Sequence, residues 1–399
     1  MSPERLALQI LCLNDFEAAA RARLPRPIFG YVQGAVEDNL SFRMNADAFR
    51  QYAFITRTLT DVSGRDTRRH LLGKTYASPF GICPMGLLGL SCFEGDLNMV
   101  GAARDADVPC IISGASMIPM EEIARHAPHT WFQAYVKGNP ESYRPMLARI
   151  DAAGFRTLVI TVDIPVSANR ENNVRTGFTT PLRPGLRLCM DVATRPRWLF
   201  GTLLRTLAKR GMPYFENSFA QRGAPIFSRT ASRDFGERDT LAWSHLADMR
   251  ERWKGRLVLK GVLAPDDVDA ARRLGMDGVI LSNHGGRQLD GAVSPLHMLR
   301  DCLGRAGAMP LMLDGGVRRG SDVLKAVALG ARCVFIGRPF NFALATAGRA
   351  GVAHAIDLLK REIDRDLAML GANDLDQLAC RASLCHLGRA PEPVPPMLA

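Results

Sequence analysis

Two residues of complementary character stand three apart in Ser282-Asn283-His284-Gly285-Gly286-Arg287. Histidine is the natural proton acceptor near neutral pH, and arginine is the natural clamp for a carboxylate. Asp163 closes the apolar run Thr157–Asp163. An aspartate so placed can orient a histidine base and stabilise its imidazolium. Lys260 closes Leu257-Val258-Leu259-Lys260. Held inside a fold, such a lysine is either a fixed cation for an anionic ring or a Schiff-base amine. Asp314-Gly315-Gly316-Val317-Arg318 and Gly337-Arg338 suit phosphate. Glycine lets backbone N–H groups approach an oxyanion, and arginine forks its oxygens. Taken singly, each has an ordinary structural reading as a core histidine, a solvated lysine or a βα turn. Their weight comes from falling at the same end of repeated strand signals.

Those signals are eight short apolar runs: Phe80–Pro84, Cys110–Ser113, Trp131–Val136, Thr157–Asp163, Leu257–Lys260, Gly278–Ser282, Leu311–Asp314 and Val334–Gly337. Helical patterns such as Glu94–Asp105, Ser142–Ala153, Ala264–Leu274 and Gly320–Leu329 lie between them. Strand starts recur roughly every 20–35 residues, the length of a βα unit. The pattern predicts an α/β fold, a (β/α)8 TIM barrel whose site lies at the C-terminal strand ends. The spacing breaks once, after strand 4, where more than ninety residues separate Asp163 from Leu257. We read residues 1–399 as one domain: an N-terminal helical segment over 1–78, the barrel over 79–350, and C-terminal helices and tail over 351–399. The tail after Pro391 is Pro-rich and reads as irregular.

The chain has 399 residues, 47% hydrophobic and 23% charged, which fits a globular protein rather than a disordered one. Its net charge of +11 is concentrated, because residues 183–238 hold eleven Arg or Lys against four acids, a net +7. Nine cysteines at irregular spacing, with no C-x-x-C, argue against a disulfide framework or a metal site and for a reducing compartment. Residues 1–13 read as the first turns of a helix rather than as a signal peptide. No apolar run reaches the roughly 18 residues of a spanning helix. Within the insertion, 195–210 joins five cations to Trp198, Phe200 and a leucine stripe at 199, 203 and 207. That pattern suits an amphipathic helix lying on an anionic lipid surface, or else a helix docked on the barrel. Because Trp198 and Phe200 accompany aliphatics, lipid is favoured over nucleic acid.

Ser-Asn-His-Gly-Gly-Arg-Gln-Leu-Asp (282–290), Asp-Gly-Gly-Val-Arg-Arg-Gly (314–320) and Gly-Arg-Pro (337–339) closely resemble the FMN-dependent L-2-hydroxy acid dehydrogenases and oxidases. That family includes bacterial L-lactate dehydrogenase, mandelate dehydrogenase, glycolate oxidase and flavocytochrome b2. The likeness runs from Leu24 through Gly371 and weakens only in the insertion. It implies FMN as cofactor and an L-2-hydroxy acid as substrate. His284 would be the base and Asp163 its partner. Tyr31, Arg170 and Arg287 would bind the substrate carboxylate, and Tyr135 would lie beside its hydroxyl. Lys260 would sit near N1 of the flavin and stabilise the reduced ring. Ser113, Gln133, Thr161, Ser282 and the Pro84-Met85-Gly86 backbone would hold the isoalloxazine. Asp314, Gly315, Gly316, Arg318, Gly337 and Arg338 would bind the ribityl phosphate.

Two departures refine the expectation. Ala115 stands where glycolate oxidase has a large aromatic residue, as in the lactate and mandelate enzymes, leaving room for a larger substrate unless Leu87, Leu88 or Met117 refills it. The basic insertion resembles that of the membrane-associated dehydrogenases. It implies a cytoplasmic protein peripheral on the inner face of the cell membrane, with a quinone or cytochrome as electron acceptor. The resemblance also implies a homotetramer. An oxygen-using oxidase shares all these motifs, and a Schiff-base aldolase would use Lys260 on a phosphate-binding barrel.

Overall fold

In the computed structural model, which describes residues 3–183, 185–228, 236–380 and 383–388, the eight strand signals form one parallel barrel. Its strands are β1 (Phe80–Ile82), β2 (Ile111–Ser113), β3 (Trp131–Ala134), β4 (Thr157–Thr161), β5 (Arg256–Val262), β6 (Gly278–Leu281), β7 (Leu311–Asp314) and β8 (Cys333–Ile336). Parallel pairing runs from β2 round to β8 and on to β1. A parallel bridge between Ile82 and Cys110 closes the ring.

These strands are covered on both faces, so they read as apolar runs without polar alternation. The alternation appears in space instead. Ile111, Trp131, Val159, Val258, Ile280 and Met312 form one inner cluster. Ile112, Phe132, Leu158, Leu257, Val279 and Leu311 belong to the outer core under the helices. Strand side chains repeat with period two. The next inward positions on the same six strands are therefore Ser113, Gln133, Thr161, Lys260, Ser282 and Asp314, and all six are buried. A polar layer thus sits directly above an apolar one, at the C-terminal strand ends. At the opposite end a hairpin of Arg69–Leu71 and Lys74–Tyr76 adds Leu71 and Tyr76 to the inner cluster.

Four helices, Pro3–Gln9, Asp15–Arg23, Arg26–Gln33 and Leu40–Arg50, precede the barrel. The second packs on the long helix Arg338–Met369, which bends at Ala347–Gly348. The insertion after β4 carries Glu171–Thr176, Leu186–Ala193 and Pro196–Trp198, then a π-helical turn Leu199–Leu204 and Arg205–Arg210.

The leucine stripe expected at 199, 203 and 207 needs correction. Trp198 is buried and donates from Nε1 to the Leu90 carbonyl at 2.6 Å, so the segment does dock on the barrel. Leu199 and Leu203 are half-buried. The apolar residues left in solvent are Phe200 (66% exposed), Leu204 (43%) and Leu207 (37%). A π turn is wider than an α turn, which shifts the faces on either side of it. Some of the cations are also engaged: Arg210 pairs with Glu94 and Glu122, and Arg195 Nε donates to the Leu24 carbonyl at 3.2 Å. Arg229, Arg233 and the tail after Pro391 lie outside the described residues.

Candidate active site

The polar layer is wired together from within. Lys260 Nζ lies 2.9 Å from Asp314 Oδ2 and donates to Ser282 Oγ at 2.9 Å; that hydroxyl donates to Asp314 Oδ1 at 2.6 Å. Burial alone would lower the lysine pKa, but the charges of Asp314 and Asp163 outweigh it and raise the value. Lys260 is therefore a fixed cation. A Schiff-base amine must be neutral to attack, so the aldolase reading loses its nucleophile.

Above this layer, His284 Nδ1 meets Asp163 Oδ1 at 3.0 Å. The approach of Asp163 depends on Gly261, which has φ +105 at a register shift in β5. A Cβ on Gly261 would stand 2.6 Å from Asp163 Cβ. His284 itself has φ +57, a left-handed conformation uncommon for a residue with a side chain. Its N–H donates to Ser282 Oγ at 2.9 Å, which helps hold that shape. One residue earlier, Asn283 and Asn45 exchange amide hydrogen bonds at 2.7 and 2.8 Å. Gly316, at φ +85, packs under Asn45, where a Cβ would come 2.0 Å from the Asn45 carbonyl oxygen. Burial lowers the His284 pKa, and the attraction of Asp163 recovers only part of that shift. Burial also pushes the Asp163 carboxyl up, but His284 and Lys260 outweigh it and hold the value below the usual range. The pair is thus a neutral imidazole on an ionised carboxylate. Its Nε2 is left available as a base.

Besides Arg238, four arginines border the same cavity of about 500 Å3: Arg170, Arg287, Arg318 and Arg338. Their donors reach mainly backbone carbonyls. Arg338 donates to Gln33, Gly285 and Gly34, Arg318 to Val317, Arg287 to Gly34 and Arg170 to Arg287. Among the described residues none of the four pairs with a carboxylate. Burial lowers the pKa of Arg287 to about 10, and lowers those of Arg318 and Arg338 as well. Buried cations without counter-ions are costly until an anion joins them. With Lys260 and Arg238 they make six cations against Asp163 and Asp314, so the cavity is built for anionic ligands. Beside Arg287, the Tyr31 ring stacks on Phe178 with centroids 4.3 Å apart and lies 5.1 Å under the guanidinium. Ala115 adjoins Gly86 and Tyr31 in the same wall.

Residues 20–384 match the FMN-dependent dehydrogenase family. The chain belongs to that family. This FMN-dependent dehydrogenase is 35% identical to the (S)-mandelate dehydrogenase of Pseudomonas putida over 368 residues, 92% of each chain. It is 37% identical over 369 residues to an L-lactate dehydrogenase of Caulobacter vibrioides, covering 91% of this chain and 94% of the relative. Among solved structures it resembles the monotopic membrane protein (S)-mandelate dehydrogenase, with TM-score 0.84, 33% identity and coverage of 94% of this chain and 99% of that one. A mandelate oxidase is also similar, with TM-score 0.76, 31% identity and coverage of 93% and 97%.

FMN is the family's cofactor, and the residues of the dehydrogenase fit it. Gln133 Nε2 and Thr161 Oγ1 are buried with no hydrogen-bond partner in the protein. An amide donor and a hydroxyl suit the oxygens and nitrogens of an isoalloxazine edge. The carboxylate-free Arg318 and Arg338 suit a phosphate. Every residue named from the sequence lines the cavity except Ser113, Gln133, Asp163 and Ser282, which stand behind it. Ser113 Oγ donates to Gln133 Oε1 at 3.1 Å and accepts from the Ala115 N–H at 3.1 Å. Asp314 is placed differently from its expected phosphate role. Its oxygens are taken by Lys260, Ser282 and the Cys83 thiol at 3.3 Å, as befits an anion that would repel phosphate. Sequence reasoning missed Phe178, Asn45, Gln288 and Arg238. Gln288 lay inside the quoted motif; it accepts from Arg170 Nη2 at 3.2 Å, and its Nε2 has no partner. Arg238 stands 5.1 Å over the Tyr135 ring and no motif announced it.

Proposed function

We propose that the protein oxidises an L-2-hydroxy acid of lactate or mandelate type to the 2-oxo acid and passes the electrons to a quinone or cytochrome. The observation that carries this reading is a neutral histidine held on an aspartate, in one cavity with arginines that lack carboxylate partners. Arg287 and Tyr31, supported by Arg170, bind the substrate carboxylate. Holding that group fixes which hydrogen of the substrate carbon faces the ring, which gives L selectivity. Tyr135 stands beside the substrate hydroxyl. His284 takes one proton at Nε2, and Asp163 stabilises the imidazolium that forms. Bound FMN supplies the two-electron acceptor. Lys260 keeps a positive charge in the polar layer, and Ser113, Gln133, Thr161, Ser282 and Pro84–Gly86 hold the ring. Gly315, Gly316, Arg318, Gly337 and Arg338 hold the phosphate.

The apolar Ile164, Val174 and Phe178 in the cavity wall, with the small Ala115, support an apolar substrate side chain. Exposed Phe200, Leu204 and Leu207, with Leu186 and Met190 on the preceding helix, support attachment to the cytoplasmic face of a membrane. Arg187, Arg197 and Lys209 are exposed cations in the same segment. No described helix is long and apolar enough to cross a membrane. A homotetramer completes the reading, and light scattering of the purified protein checks it. The likeness to a mandelate oxidase favours a second reading, in which oxygen takes the electrons and hydrogen peroxide forms.

Anaerobic bleaching of the yellow protein by a panel of L- and D-2-hydroxy acids tests the first reading. L acids with apolar side chains should bleach it and D acids should not. Failure of every L acid sinks it. Re-oxidation by a quinone analogue against re-oxidation by oxygen then separates dehydrogenase from oxidase.

A further inference from the structure

The N-terminal end of the barrel contains a second cavity, of about 920 Å3, which shares no lining residue with the active site. Small-ligand sites occupy a few hundred to about 1,000 Å3. Its floor is apolar and aromatic: Leu71, Tyr76 and Trp131 are each at most 5% exposed. Trp131 Nε1 donates to Tyr76 Oη at 3.3 Å, which fixes both rings. Two hydroxyls also line it, on Thr130 and Thr157, residues only 6% and 8% exposed. Neither hydroxyl makes a hydrogen bond among the described residues.

Around this floor stand Lys74, Arg156, Arg250, Lys254 and Arg256, with Asp277 the only acid in the lining. Asp277 is already saturated. It accepts from Arg250 and Arg256 at 2.8 Å each and from the Leu257 N–H at 2.9 Å. Lys74 pairs with Asp107 outside the lining. Arg156 and Lys254 have no carboxylate partner among the described residues. The cavity thus offers donors and positive charge at its rim, unpartnered hydroxyls below, and flat apolar surface at its base. A ligand satisfying all three carries several anionic oxygens on a planar body. Phosphate oxygens accept from arginine, lysine and hydroxyl groups alike, and a base or other planar ring can lie on the aromatic floor.

We propose that this cavity binds a phosphate-bearing small molecule of nucleotide type. The site is independent of the hydroxy acid chemistry and of the basic insertion. It can be tested on the FMN-loaded enzyme by equilibrium dialysis with metal-free ATP, inorganic tripolyphosphate and adenosine. ATP should bind saturably at one site per chain, more tightly than either tripolyphosphate or adenosine. Arg156→Ala combined with Lys254→Ala removes two exposed cations that hold no carboxylate. That variant should weaken ATP binding at least about tenfold while FMN content and substrate-driven bleaching stay unchanged. Thr157→Val tests the hydroxyl separately and should also weaken ATP. Three results overturn the proposal: no saturable ATP binding, tripolyphosphate binding as tight as ATP, or unaltered ATP affinity in the double variant. The last would place the nucleotide on the insertion, whose cations that variant leaves intact.

Discussion

The two ends of the barrel treat positive charge in opposite ways. At the N-terminal end Arg256 is 53% exposed and shares Asp277 with Arg250. Four residues on in the same strand, the Lys260 side chain is 4% exposed, and around it four arginines reach the cavity without a carboxylate. An exposed pair is screened by water and contributes about 0–1 kcal/mol. A buried unpaired cation costs several kcal/mol until a counter-ion arrives. The charges at Asp277 are therefore settled by the chain itself, whereas on the proposed reading the C-terminal end is completed by FMN phosphate and substrate carboxylate.

The largest expected effect lies at the C-terminal end. His284→Ala should slow substrate-driven flavin reduction by about 10²–10⁴-fold, the usual contribution of a positioned base. FMN should remain bound, since no phosphate contact is lost. Stopped-flow reduction under anaerobic conditions reads the rate, and absorbance reads the FMN content. A near wild-type rate would remove His284 from the chemistry and with it the distinction between the two ends.

Next in size is a pH effect. His284 must be neutral to accept a proton, and burial sets its pKa below the ordinary value of 6.5. The acid limb of kcat/KM should therefore fall at a pH lower than that. Asp163 raises the His284 pKa by charge and hydrogen bond. Asp163→Asn should move the acid limb lower still while reducing the plateau, because the imidazolium loses its stabilising carboxylate. A limb that moved upward would show that Asp163 does not act through His284.

Gly316→Ala probes the loop that carries Arg318, which we propose holds the phosphate. The new Cβ would meet the Asn45 carbonyl oxygen at 2.0 Å, and φ +85 is strained for any side chain. Destabilisation of about 1–3 kcal/mol follows from such strain, read as a lower urea midpoint with weaker FMN retention. An unchanged midpoint and full FMN content would mean that the Asn45–Gly316 contact does not position the phosphate loop.

Much of this contrast was legible in the sequence. The eight strands announced themselves because burial on both faces leaves continuous apolar runs. The polar layer was legible because six of the eight strands carry one polar inward residue at or near the C-terminal end, such as Gln133 or Lys260. His284, Arg287, Arg318 and Arg338 sit within short motifs whose chemistry is local. What escaped depends on contacts between distant segments. Asn45 pairs with Asn283 across 238 positions, and Phe178 meets Tyr31 from the insertion. The face of residues 195–210 was misjudged because a single π turn breaks the four-residue stripe. The second cavity was invisible for the same reason as Asn45, since five separate loops and strand starts build it.

The smallest expected effect belongs to the N-terminal end, and it sets the limit of the comparison. Arg256→Ala removes one of two arginines on Asp277, yet Arg250 and the Leu257 N–H still hold that carboxylate. No buried charge is left alone, so the loss should stay under about 1 kcal/mol. Urea unfolding should show a small fall in midpoint, and FMN content and bleaching by the preferred L acid should not change. A charge removed from the same strand four residues later should behave differently. Lys260→Met would strand Asp314 in the polar layer, against Ser282 and Cys83 and without its cation. If Arg256→Ala released FMN, the bottom cations would be coupled to the flavin through β5, and the two ends would be one electrostatic unit.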